Sequence, residues 1–122
     1  MKVIEFAFVV YPVTDLPRAR AFYEGVLGFT RETQPKDAEA QFFEYEVGPH
    51  TFAIGKHPAW KPPSDGPSLA VEVEDFDAAI AQLKDEGIGF LMGPLQTPVC
   101  QMAVIQDPDG NKITVHKRNP GR

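Results

Sequence analysis

The sequence predicts an α+β fold in which two βαβββ modules pair into a curved sheet that forms a cleft. Three observations lead there. The first is a repeat: Val13-Thr14-Asp15-Leu16-Pro17-Arg18-Ala19-Arg20-Ala21-Phe22-Tyr23 is echoed by Val73-Glu74-Asp75-Phe76-Asp77-Ala78-Ala79-Ile80-Ala81-Gln82-Leu83. The second is its setting, since each copy follows an apolar, strand-like run and precedes a Gly-Phe pair, Gly28-Phe29 and Gly89-Phe90. The third is the stretch from His57 to Pro67, which carries four prolines and a glycine and reads as a connector. Two copies in 122 residues make a pair of like modules, not a solenoid. Two modules facing each other leave a cleft, and a ligand would bind there.

In the first module, Val3 to Tyr11 is rich in branched and aromatic residues and reads as a buried strand that Pro12 ends. Asp15 is suited to cap a helix, because its carboxylate can accept from the free amides of the next turn, and Pro17 fits the first turn. Leu16, Ala19, Phe22, Tyr23, Val26 and Leu27 then share one helical face, and Gly28 supplies a left-handed stop. Phe29 to Thr33 is predicted as a second strand and Pro35 to Ala38 as a loop. Gln41 to Val47 and Thr51 to Lys56 follow as strands joined at Gly48-Pro49.

The second module repeats the plan. Ser68 to Val73 is a strand, Asp75 the cap, and Phe76, Ala79, Ile80 and Leu83 the buried helical stripe ended by Gly87. Gly89 to Met92 and Val99 to Gln106 are predicted strands. Asp107-Pro108-Asp109-Gly110-Asn111 then turns the chain into a last strand, Lys112 to Lys117. One domain thus spans 1–122, with module one at 3–56, the connector at 57–67 and module two at 68–118. A right-handed crossover in each module should put both helices on one face of the sheet.

Composition narrows the function classes. A hydrophobic content of 43% and a charged content of 24% are those of a soluble globular protein. No run approaches the length needed to span a bilayer, and no export signal is readable in Met1-Lys2-Val3-Ile4-Glu5. Cys100 is the only cysteine, which excludes an intrachain disulfide and points to a cytoplasmic home. Seventeen acidic against twelve basic residues, a net charge of −5, argue against nucleic acid and weakly favour cationic ligands. There is no phosphate loop, paired-cysteine motif, Ser-His-Asp spacing or nucleotide-binding glycine fingerprint.

The repeat, extended through Glu24-Gly25-Val26-Leu27-Gly28-Phe29, together with Asp107-Pro108-Asp109-Gly110-Asn111, resembles the vicinal oxygen chelate superfamily. That superfamily includes glyoxalase I, extradiol dioxygenases, fosfomycin-modifying enzymes and bleomycin-resistance proteins. The resemblance covers essentially the whole chain and implies the fold, but not one activity, since the superfamily holds both metalloenzymes and metal-free binders. It also implies four metal-ligand positions, two in each module. They fall on Phe8, Ala53, Ser68 and Thr114. Phe and Ala have no donor atom, and neutral hydroxyls bind divalent cations weakly. A shift of one residue meets only apolar neighbours, Ala7, Val9, Phe52, Ile54, Leu69, Ile113 and Val115. No metal and no other cofactor is therefore expected.

Two residues are candidates for catalysis. His116 lies two residues beyond Thr114, so it should share its side of the strand and could act as acid or base; it also reads as a strand-end histidine beside Lys117 and Arg118. Glu72 shares parity with Ser68, facing either the pocket or solvent. Cys100 would need a base to become a nucleophile and otherwise reads as a small apolar thiol. His50, His57 and His116 match no ligand spacing. Trp60, the only tryptophan, sits in the connector as a core plug, a lid or a contact with a second subunit.

The expected function is metal-free binding of a small apolar or aromatic molecule, in the manner of bleomycin-resistance proteins. Phe8, Tyr45, Trp60, Ser68, Met102, Thr114 and His116 are the expected pocket lining. A homodimer is implied by the resemblance. The alternative is an enzyme related to glyoxalases or dioxygenases, either metal-free with His116 as acid/base or using displaced metal ligands.

Overall fold

Each copy of the repeat builds its helix onto its own sheet. The computed structural model describes residues 2, 4–31, 41–62 and 66–121. They divide into two units, Met1–Pro62 and Pro63–Arg122, with the division inside the expected connector.

In the first unit, β1 (Val9–Pro12), β2 (Phe42–Val47) and β3 (His50–Gly55) form a sheet of order β1-β3-β2. β1 runs parallel to β3, with Val9 opposite Phe52 and Tyr11 opposite Ile54. β2 runs antiparallel to β3, with Tyr45 also opposite Phe52. Between β1 and β2 lies α1 (Leu16–Arg20), which continues as a π-helical segment, Ala21–Val26. Asp15 caps α1 as expected, its Oδ1 accepting the Arg18 amide at 3.0 Å. In the π segment the Leu27 amide reaches back five residues to the Phe22 carbonyl. Leu16, Ala19, Phe22 and Tyr23 are buried from this helical stretch, and Tyr11, Phe43, Tyr45, Phe52 and Ile54 from the strands.

Two strand expectations are corrected here. The strand predicted from Val3 to Tyr11 pairs only from Val9; residues 4–8 carry no ladder, and Val3 lies outside the described residues. Pairing begins where Val9 faces Phe52, although β3 itself starts two residues earlier, at His50. The strand predicted from Phe29 to Thr33 reduces to one bridge, Thr30 with Glu46, and residues 32–33 and the loop at 35–38 lie outside the described residues.

The second unit contains β4 (Ser68–Glu72), α2 (Phe76–Asp85), β5 (Met92–Gln96), β6 (Cys100–Gln106) and β7 (Lys112–Arg118), in sheet order β4-β7-β6-β5. β4 is parallel to β7, and the other pairs are antiparallel. The Asp75 carboxylate caps α2 by accepting the Ala78 amide at 3.0 Å. Phe76, Ile80 and Leu83 are buried, as are Ile105, Ile113 and Val115 on the strands. Gly28 and Gly87 end the two helical stretches at φ of 73° and 74°, the left-handed conformation that glycine tolerates without strain.

The turn before β7 is held by a buried aspartate. Asp107 Oδ1 accepts the amides of Asp109 and Asn111 at 2.9 and 2.8 Å, and its Oδ2 accepts from the Asn111 side chain at 2.8 Å. The strand predicted at Gly89 to Met92 begins only at Met92 and runs to Gln96. The first bond to β6 comes from the Leu91 amide, which reaches the Val104 carbonyl at 2.8 Å just ahead of the strand. No described helix is long and apolar enough to cross a membrane.

Candidate functional site

Alternation along each strand sorts side chains between the helix-covered face and the opposite one. In the first unit the helix-covered face is an aromatic core. Tyr23 packs its ring within 5.1 Å of Phe52 and 6.4 Å of Tyr45, and Phe29 lies 6.0 Å from Tyr45, centroid to centroid. Tyr45, expected to line a pocket, is wholly buried in this core. Its hydroxyl donates to Glu24 Oε2 at 2.9 Å, and Arg20 Nε donates to the same oxygen at 2.8 Å. Burial works to raise the Glu24 pKa, but hydrogen bonds from Arg20 and Tyr45, with the charges of Arg20 and Arg31, leave it below the usual carboxylate range. Burial, then the bond to Glu24, pushes the Tyr45 pKa upward. Both guanidinium groups, Arg20 and Arg31, also lie over the Phe43 ring, at 4.7 and 5.1 Å from its centroid.

The opposite face of the first unit sets rings beside carboxylates, with Glu44 across from Ala53 and Glu46 across from Thr51. Phe42 alternates with Phe43 and stands across from Gly55. A methyl group on Gly55 would lie 2.7 Å from Trp60 Cζ3 and 3.1 Å from Phe42 Cδ2, so the two rings flank a position that only glycine leaves open. Phe8 meets Phe42 edge-on at 6.1 Å, and His57 lies 5.4 Å from Trp60. Phe8, Phe42 and Trp60 remain 49%, 37% and 43% exposed. Three large rings held half-open over a floor of Ala53 and Gly55 form an aromatic platform. Phe8 and Trp60 are among the residues expected to line the pocket, whereas Phe42 counts only as one of several aromatic residues of which some should face it. The Phe42-Phe43 pair was the available signal, because one of two adjacent strand residues must point away from the core.

On the second unit's sheet, Ser68, Glu72, Met102, Thr114 and His116 fall on the face opposite α2. The register sets Glu72 against His116 on β7, and His116 against Met102 on β6. Ser68 Oγ and Thr114 Oγ1 are 2.6 Å apart. His116 Nδ1 is 2.6 Å from Glu72 Oε1, and Glu72 Oε2 accepts the Arg118 backbone amide at 2.7 Å. That amide first, and His116 second, hold the Glu72 carboxyl below the usual range. Met92 faces Val104 across the same sheet, and Leu95 faces Met102, giving this side an apolar half beside its polar row.

Cys100 opens β6 as a buried thiol 3.2 Å from the Thr97 hydroxyl, with no ionisable side chain bonded to it among the described residues. The His57 ring accepts the Ala59 amide at 3.0 Å. The four family ligand positions fit a metal poorly: Phe8 and Ala53 offer no donor, and the Ser68 and Thr114 hydroxyls are bonded to each other. Among the described residues, no group of three or more His, Cys, Asp or Glu side chains is placed to hold a metal ion.

Comparison with solved structures places this architecture among known ones. TnmS3, an antibiotic binding protein from Streptomyces sp. CB03234, superposes with a TM-score of 0.77 at 24% identity, covering 98% of this chain and 99% of that one. A glyoxalase/bleomycin resistance protein from the same strain gives 0.70 at 26% identity, covering 91% and 98%. A glyoxalase/dioxygenase from Nostoc punctiforme gives 0.80 at 19% identity, covering 94% and 91%. No curated protein sequence matches the chain. The family model for the Glyoxalase/Bleomycin resistance protein/Dioxygenase superfamily matches residues 5–115. With that match over nearly its whole length, the chain belongs to the glyoxalase/bleomycin resistance protein/dioxygenase superfamily.

Proposed function

We propose that this protein binds a small, flat, apolar or aromatic molecule without a metal, as a cytoplasmic homodimer that sequesters its ligand. The observation that carries the reading is the platform of Phe8, Phe42 and Trp60, three rings kept half-exposed on a face with no helix over it. Exposed apolar surface of this kind costs solubility and is retained where something docks on it. Aromatic stacking adds about 0.5–1.5 kcal/mol per ring pair beyond the area buried. Ser68, Met102, Thr114 and His116 are proposed as ligand contacts of the second unit taken by itself. The antibiotic binding named for TnmS3 is a property of that protein, and it lends the reading support by fold.

Trp60 is the chain's only tryptophan, so its fluorescence reports the platform directly. Titration with 4-nitroanisole, a flat neutral quencher, should give saturable quenching in protein free of metal by elemental analysis. Phe42→Ala should weaken that affinity about tenfold, the equivalent of one lost ring contact. Native mass spectrometry of the same sample reads the subunit number. Quenching that rises linearly, without saturation, and is the same in Phe42→Ala would sink the reading.

A second reading is a metal-free enzyme acting on a small carbonyl compound or epoxide, with His116 as acid/base. It draws support from the Glu72 carboxylate on His116 Nδ1, the usual means of orienting an imidazole for proton transfer.

A further inference from the structure

We propose that Glu72 and His116 form a proton-accepting subsite that selects ligands bearing an acidic O–H, phenols above all; this rests on the small-molecule-binding reading. Glu72 is fixed at both oxygens, one by His116 Nδ1 at 2.6 Å and the other by the Arg118 amide at 2.7 Å. An ionised carboxylate can only accept, so the shared hydrogen sits on Nδ1. Whenever the ring is neutral, its lone pair then lies on Nε2. No described residue bonds Nε2, and the side chain is 25% exposed, within reach of a small molecule.

The surroundings leave that nitrogen as the open acceptor. Facing His116 from β4 is Glu72, and from β6 Met102, with Cys100 farther along the same side. Lys112, Thr114 and Arg118 share its side of β7, and the Thr114 hydroxyl is engaged with Ser68. A ligand hydroxyl reaching Nε2 donates a hydrogen bond. When the ligand is acidic enough the proton crosses: its O–H bond breaks, the electron pair stays on oxygen, and an N–H bond forms at Nε2. The resulting imidazolium stands between the ligand oxyanion and the Glu72 carboxylate. Glu72 is thus a positioning residue, fixing the tautomer and stabilising the charged ring. An aliphatic alcohol is too weak an acid to use this arrangement. A carboxylic acid arrives already ionised and meets the Glu72 charge.

The test compares 4-nitrophenol with 4-nitroanisole, in which a methyl group replaces the acidic hydrogen. The phenol should bind about tenfold more tightly, and bound phenol should ionise about one pH unit below free phenol, read from its phenolate absorption. In Glu72→Gln and in His116→Gln the affinity ratio should fall toward one and the pH shift should vanish. Equal affinities in the wild-type protein overturn the proposal and leave the binding reading standing. Failure of both probes to bind overturns the binding reading, and with it the phenol selection. Nitrogen NMR of the His116 ring tests the pair without any ligand. The neutral ring should carry its hydrogen on Nδ1 and move it toward Nε2 in Glu72→Gln; a hydrogen on Nε2 in the wild-type protein overturns the proposal.

Discussion

The two units begin from the same motif and end with opposite chemistry. Asp15 and Asp75 cap their helices with matching 3.0 Å bonds to the third residue on. Beyond the caps the copies diverge. The first unit places its charged network, Arg20, Glu24 and Tyr45, on the helix side and its bare rings on the other. The second fills the helix side with Ile80, Leu83, Ile105, Ile113 and Val115 and sets its polar pairs, Ser68 with Thr114 and Glu72 with His116, opposite. A duplicated backbone therefore carries an aromatic surface on one copy and a proton-handling surface on the other. Alternation gives each copy the same two faces to fill, and the first unit differs in setting large rings beside Glu44 and Glu46 on its open face.

The largest expected effect separates the two cores. Phe52 meets the rings of Tyr11, Tyr23 and Phe29 and is 3% exposed, so Phe52→Ala should cost about 4 kcal/mol of unfolding free energy. In the second unit Ile113→Val removes one methyl from an aliphatic core and should cost about 1 kcal/mol. Denaturant unfolding of both variants measures the contrast. Losses of similar size would mean that the aromatic core of the first unit is not what holds its sheet to its helix.

A smaller effect concerns the network behind that core. Tyr45→Phe keeps the ring and removes the hydroxyl that bonds Glu24, which should cost about 1.5 kcal/mol at neutral pH. The contribution of Glu24 also depends on pH. Its folded pKa is depressed, so the stability it adds is present above its unfolded pKa and is lost as pH falls through the lower, folded one. The gap between wild type and Glu24→Gln should therefore be full at neutral pH and close in acid, below the ordinary carboxylate range. A gap that stays constant through that window would show that Glu24 does not carry its charge into the fold.

What the sequence made legible was the local chemistry. Asp15, Asp75 and the Asp107 turn act within a few residues of themselves, so their side chains can be matched to nearby amides without knowing the fold. Register was not legible. Glu72 and His116 are 44 residues apart, and only the pairing of β4 with β7 brings them together. Tyr45 shows the same blind spot from the other side: strand alternation tells which residues share its face, and only the packed core tells which face that is. The short β1 was not legible either, since an apolar run from Val3 to Tyr11 does not tell where pairing with β3 begins.

The smallest effect on stability tests the sharpest difference between the faces. Gly55 lies in β3 with no positive φ, so alanine fits its backbone, but the added methyl would sit 2.7 Å from Trp60 Cζ3. The contact is to the end of a side chain that lies at the surface, and the ring can swing away. Gly55→Ala should therefore change unfolding free energy by less than about 1 kcal/mol while shifting the Trp60 emission toward that of a solvated indole. Saturable quenching by 4-nitroanisole should weaken together with that shift, because the ring would no longer stand beside Phe42. An unchanged emission and an unchanged affinity would mean that the platform tolerates a displaced Trp60, and that Phe8 and Phe42 alone make the binding surface of the first unit.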